Sequence, residues 1–183
     1  MGEKYRFTGR TRKMFGVTVH EIEALHDVGT DVKAGERGGF VEGQDNLAHD
    51  GDAWIYPGAV VAENAVVHGN AKVRAGCVFN EAEVRDFAEV VADRKGCEPM
   101  VYGRARIAML GVVRDNGQVY GSAAVYGEVR DSAEVGADSL IEAGRTVSGR
   151  EWVHDRVETP GIPSVDLSLD APDEGGVPGA APA

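Results

Sequence analysis

Residues 53–73 read Ala53-Trp54-Ile55-Tyr56-Pro57-Gly58-Ala59-Val60-Val61-Ala62-Glu63-Asn64-Ala65-Val66-Val67-His68-Gly69-Asn70-Ala71-Lys72-Val73, with a small residue two places before an aliphatic one in each successive block of six. The pattern Ala-x-Ile/Val falls at 53–55, 59–61, 65–67 and 71–73, and Cys77-x-Phe79 reads as a fifth block. A six-residue period matches neither the 3.6 of a helix nor the 2 of one long strand, so each block is predicted to be a short strand followed by a turn. Side chains two apart share one face of a strand, so both repeat residues point inward. Three blocks then close one triangular coil. Corner pairs such as Gly69-Asn70 and Asn116-Gly117 tolerate the left-handed backbone angles a tight corner needs.

Working outward, the phase loses one residue and resumes at Ala82-x-Val84 and Ala88-x-Val90, then breaks across 93–99, read as an inserted loop. It returns as Val101, Ile107, Val113, Val119 and Val125, slips by two, and continues as Val129, Val135, Ile141, Val147 and Val153. About six coils are expected. The domain reading is a small N-terminal β cap over 1–45, a parallel β-helix over 46–158, and a disordered acidic tail over 159–183. In the cap, Tyr5–Thr8 and Val17–Ile22 read as hairpin strands, because an open coil presents unpaired edges that must be covered. The tail holds five of the seven prolines.

The chain has 183 residues, 43% hydrophobic and 27% charged. That content argues against wholesale disorder, and no apolar run approaches the roughly 20 residues of a membrane helix. Nineteen Lys plus Arg against 30 Asp plus Glu give a net charge of -11, which repels a nucleic-acid backbone. Neither a nucleic-acid polymer nor a membrane is expected as a partner. Two cysteines are too few for a disulfide framework, and a cytoplasmic location is the expectation.

The stretch from Leu25 through Asp31-Val32-Lys33-Ala34-Gly35-Glu36-Arg37-Gly38-Gly39-Phe40-Val41-Glu42, followed by Asn46-Leu47-Ala48-His49 and the hexads, resembles left-handed β-helix, hexapeptide-repeat proteins of bacteria and prophages that carry an acyltransferase label. The resemblance covers about 25 to 157. It implies an all-β, left-handed parallel β-helix with triangular coils and a homotrimer; the transferase label itself rests on the fold. Phage-associated relatives also bring a host-interaction role, in the host cytoplasm, into view.

Acyltransferases of this superfamily use a histidine as general base. His68 follows the inward Val67, points outward, and is the alternative catalytic residue, with acyl-CoA as the alternative cofactor. His49 falls in the inward phase and reads as capping-layer core. His20, His26 and His154 have no neighbouring motif. No histidine pair has metal-ligand spacing, so no metal is expected. Cys77 reads as an inward packing residue, and Cys97 lies in the inserted loop. Gly35, Gly38 and Gly39 fit no phosphate-loop pattern.

Hexads one coil apart align. Tyr102 and Tyr120 are therefore expected to stack, and Arg114 and Arg130 to lie one strand spacing apart. Asp115, Asp131 and the Arg85-Asp86 pair allow a self-neutralised ladder; the functional alternative is a cleft where arginines hold an anion and tyrosines a flat group. Lys4, Arg6, Arg10, Arg12 and Lys13 interleave with Tyr5, Phe7 and Phe15, so Arg10 and Arg12 join the candidate ligand residues, unless these cations pair with the acidic tail or a neighbouring subunit. The expected function is a non-catalytic binding protein that captures a small anionic, nucleotide-like ligand in clefts between subunits. The alternatives are the acyltransferase and a structural trimeric spacer.

Overall fold

Each regular block gives two residues to a strand and four to a corner, and the strand pairs with its counterpart one coil on. A computed structural model, which describes residues 2–14, 16–92 and 98–154, places these strands in three sheets around a shared axis. The first face continues from strands β1 (Tyr5–Met14), β2 (Val17–Ala24) and β3 (Arg37–Val41) into Val60–Val61, Cys77–Val78, Met100–Val101, Gln118–Val119, Glu134–Val135 and Trp152–Val153. The second face stacks Val66–Val67, Glu83–Val84, Arg106–Ile107, Ala124–Val125 and Leu140–Ile141, with Leu47 bridging to Val67 at its start. The third stacks Trp54–Ile55, Lys72–Val73, Glu89–Val91, Val112–Arg114, Glu128–Val129 and Thr146–Val147. Pairing within the coils is parallel throughout, and the result is an all-β parallel solenoid of about six coils. Among the described residues the only helix is one 3-10 turn, Gln44–Asn46.

The core is the column of inward aliphatics: Val61, Val67, Val73, Val84, Val90, Val101 and their successors to Val147 are all fully buried, with Ala59, Ala65, Ala71, Ala82, Ala88 and Ala105 beside them. Each buried Val contributes roughly 1.5–3 kcal/mol before chain entropy is counted. Alanine partners are required because three strands converge on a narrow interior.

The corners need left-handed backbone, and Asn80, Asp86 and Asp131 adopt it with φ of 61°, 59° and 60°. Their side chains help to offset the strain. Asn80 Oδ1 accepts from the Gly103 N–H (3.2 Å), Asp86 Oδ2 from Met109 (3.0 Å) and Asp131 Oδ2 from Gly149 (3.1 Å). The acid of the Arg85-Asp86 and Arg130-Asp131 pairs therefore ties one coil to the next through the backbone, a role that pairing charges along the sequence does not reveal.

Two positions differ from the sequence reading. The lost residue falls one block earlier, between Val73 and Val78, so Val78 is the inward residue, Cys77 lies on the outer face, and Phe79 points out. Cys77 is buried all the same, in a small outer core with Val19, Phe40, Val60 and Ala62. Leu47, rather than His49, takes the inward place in the first coil.

The hairpin β1–β2 is antiparallel, as expected, and Gly9 (φ 89°) lies where its register shifts between Phe7 and Thr11. β3 pairs in parallel with Val60–Val61, so the first solenoid rung lies inside the stretch read as the cap. Beneath the first coil, Tyr5 is fully buried and stacks on His49 at 4.7 Å. Lys4 lies beside it, its Nζ donating to the carbonyls of Asp50 (3.2 Å), Gly51 (3.2 Å) and Ala53 (3.0 Å). The readings of Phe15, of the 93–97 part of the insertion including Cys97, and of the 159–183 tail lie outside the described residues.

Candidate functional site

The two-residue slip after Val125 has a structural consequence on the outside. Four residues separate the second-face and third-face strands at 108–111 and again at 142–145, but only Tyr126 and Gly127 do so in the coil between. Ladder bonds continue across the short corner, from Val112 N to Gly127 O (2.8 Å) and from Glu128 N to Arg145 O (2.9 Å). Gly127 is needed there, since a Cβ would come within 2.5 Å of the Glu142 carbonyl. The missing residues leave a notch of about 320 Å³, bounded by Leu110, Arg114, Tyr126, Glu128, Gly144 and Arg145. Leu110 stands 73% exposed at its rim.

Two guanidinium groups and one carboxylate line the notch, a positive balance in a protein of net charge -11. Arg114 Nε lies 3.0 Å from Glu128 Oε1, and Thr146 Oγ1 donates to the other Glu128 oxygen (3.3 Å). Arg145 makes only a 3.6 Å contact with Glu151. Such partly exposed pairs are weak, so the guanidinium donors can be redirected to an incoming anion at small cost.

Of the residues singled out from sequence, Arg114 alone lines this notch. Arg130 occupies the next rung, as the Val113↔Val129 pairing requires, and faces Asp131 at 3.9 Å. Tyr102 and Tyr120 do stack, at 5.3 Å and 10°, but beside the first-face strands Met100–Val101 and Gln118–Val119 and not at the corner that holds the notch. Phe79 stacks on Tyr102 from the coil before, at 5.2 Å and 7°. Both faces of Tyr102 are therefore occupied, and its hydroxyl and edge are what a ligand meets; burial, with Tyr120 and Glu134 nearby, raises its pKa. Three of the hairpin cations find partners on their own chain: Arg6 with Glu23 (2.6 Å), Arg10 with Glu21 (3.0 Å), and Arg12 over the Phe40 ring at 4.2 Å.

His68 Nε2 lies 2.8 Å from Glu83 Oε1, and Arg106 Nε donates to Glu83 Oε2 at 2.8 Å. Burial pushes the Glu83 carboxyl up, but the hydrogen bonds from His68 and Arg106 and the charges of Arg85 and Arg106 outweigh it and hold the pKa below its ordinary value. Cys77 is the reverse case: burial, helped by Glu98 and opposed by Arg12, raises its thiol and makes it a poor nucleophile.

No protein-family model and no curated protein matches the chain. Among the described residues no group of three His, Cys, Asp or Glu side chains is placed to hold a metal ion, and no helix is long and apolar enough to cross a membrane. Tyr126 and Arg145 are the notch residues that sequence reasoning passes over. The slip itself was the available signal, because a shortened corner between two full ones must leave a recess.

Proposed function

We propose that the protein is a non-catalytic binding protein that captures a small anionic, nucleotide-like ligand, and that the notch of the fifth coil is where it does so. The observation that carries this reading is that Arg114, Arg145 and Tyr126 line one recess. Guanidinium groups match phosphate oxygens bidentately, the phenol ring offers an aromatic surface, and Gly144, with open space where a Cβ would stand, lets backbone approach the ligand. Assembly as a homotrimer belongs to the same proposal. Native mass spectrometry of gently purified protein, with extraction of small molecules from the same sample, tests both. A trimer with bound mass that releases a phosphorylated compound is expected, and Arg114→Ala with Arg145→Ala should lose it. A compound retained undiminished by the double variant would overturn the notch as the site. Protein that gains no mass from any nucleotide offered would overturn capture.

A second reading, an acyl-CoA-dependent acyltransferase with His68 as base, is favoured by the Glu83 carboxylate 2.8 Å from the imidazole, an arrangement that orients a base. Thiol release from acetyl-CoA that saturates in acceptor and vanishes in His68→Ala would establish it. No release with the native protein would remove it.

A further inference from the structure

On the last rung of the first face, Trp152 precedes the inward Val153 and projects outward, 64% exposed. The indole is nevertheless held. Its Nε1–H donates to the Tyr120 hydroxyl (3.2 Å), which in turn shares a hydrogen bond with His154 Nε2 (2.8 Å). The His154 ring meets Trp152 edge-on, with centroids 4.1 Å apart. A large exposed apolar side chain pinned by two polar partners has its orientation fixed before any ligand arrives, which lowers the ordering cost of binding.

Trp152 also walls a recess of about 410 Å³ whose other lining residues are Ser132, Glu134, Arg150 and Glu151. Glu134 sits on the rung directly before Trp152. Two carboxylates and one guanidinium line it, and Arg145, which lines the notch, reaches Glu151 at 3.6 Å, so the recess carries no surplus positive charge to draw an anion. The polar rim equally disfavours a purely apolar partner, which would leave those groups unpaired. A ligand with a flat C–H face and a rim of hydroxyls satisfies both constraints.

We propose that the Trp152 recess is a saccharide-binding site for a neutral pyranose, with the indole against the C–H face of the ring, Glu134 and Glu151 accepting from its hydroxyls, and Arg150 donating to them. The chain has two tryptophans, and Trp54 is buried in the first coil, so ligand-dependent changes in emission report Trp152. Full-length protein is titrated with maltose, cellobiose and N,N′-diacetylchitobiose, followed by fluorescence and by calorimetry. A saturable response to at least one of them is expected. Trp152→Ala should abolish the calorimetric signal, and Glu151→Gln, which leaves the aromatic cluster intact, should weaken affinity about tenfold, about 1.4 kcal/mol. No saturable response to any of the three sugars overturns the proposal, as does calorimetric binding of equal affinity in Trp152→Ala and the native protein. Arg114→Ala should bind the sugar unchanged, which separates this site from the notch.

Discussion

The ring of Tyr120 occupies the space that a side chain at Gly136 would need: a Cβ there would fall 2.6 Å from Tyr120 Cζ. The absence of a side chain in one coil is thus what lets the phenol of the preceding coil reach Trp152 and His154 in the following one. Gly136→Ala should lower stability by about 1–3 kcal/mol through overpacking, read as a lower urea midpoint. It should also shift Trp152 emission by releasing the hydroxyl that holds the indole. An unaltered midpoint and spectrum would mean that Tyr120 leans on Gly136 without depending on it.

Lys4 gives a pH dependence of unusual sign. Burial lowers its pKa from 10.5 to about 8, against the opposing pull of Asp50 and Asp52. Between those values the unfolded chain holds more protons than the folded one, so this group's contribution to stability grows as pH rises. Tyr5, raised by burial from 10.0, acts in the opposite direction only above pH 10. From pH 8 to 10, the urea midpoint of the native protein should therefore climb relative to that of Lys4→Met. Parallel curves would show that the amine stays as protonated in the fold as in the open chain.

Asp31 works on the acid side. Lys72 Nζ donates to both its oxygens (2.8 and 2.6 Å), the Tyr56 hydroxyl to Oδ2 (2.5 Å) and Arg74 to the same oxygen (3.2 Å). Hydrogen bonds from Lys72 and Tyr56 hold the carboxyl well below its ordinary 3.8, despite partial burial. Its stabilising contribution is therefore complete above pH 4 and is lost as the pH falls below that value. The cluster is partly exposed, so Asp31→Asn should cost only about 1 kcal/mol at pH 7. The variant and the native protein should converge in stability as the solution is acidified, and a difference that stays constant down to pH 2 would contradict this account.

The notch can be filled without touching a single lining side chain. Inserting Gly-Asn between Tyr126 and Gly127 restores a four-residue corner in the fifth coil, matching its neighbours at 108–111 and 142–145. The insertion should leave the thermal midpoint within a few degrees of native while abolishing capture of any anion held by Arg114 and Arg145. Retained affinity would show that ligand and recess are unrelated.

Where the period is unbroken, the sequence is close to a coordinate list, because from Ala53 to Val73 an alanine two places earlier marks the inward aliphatic in each block, even where Val60-Val61 and Val66-Val67 offer two. It fails at Cys77-Val78-Phe79, where two consecutive large hydrophobics fit the period about equally well and a two-residue strand offers no second inward position to decide between them. What decides is outside the block: Val78 completes the inward column, while Phe79 is satisfied by the ring of Tyr102. The Tyr102–Tyr120 stack follows from counting sixes, whereas the contacts of Trp152 and His154 with Tyr120 depend on the phenol leaning across Gly136, a side-chain direction that the period does not specify. The intrachain partners of Arg10 and Arg12 are not legible locally, because they are contributed by other strands: Glu21 of β2 and Phe40 of β3.

The shortened corner at Tyr126–Gly127 separates two properties that most folds couple. Rung spacing and core composition continue through it undisturbed, with Val113, Val129 and Val147 in line on one side and Ile107, Val125 and Ile141 on the other, while the surface contour changes abruptly. Insertions and deletions at corners thus sculpt the exterior of this molecule much as carving relief alters a column without moving its drums. A chain built this way can gain or lose a binding surface in one step of a codon or two, with its folding problem unchanged.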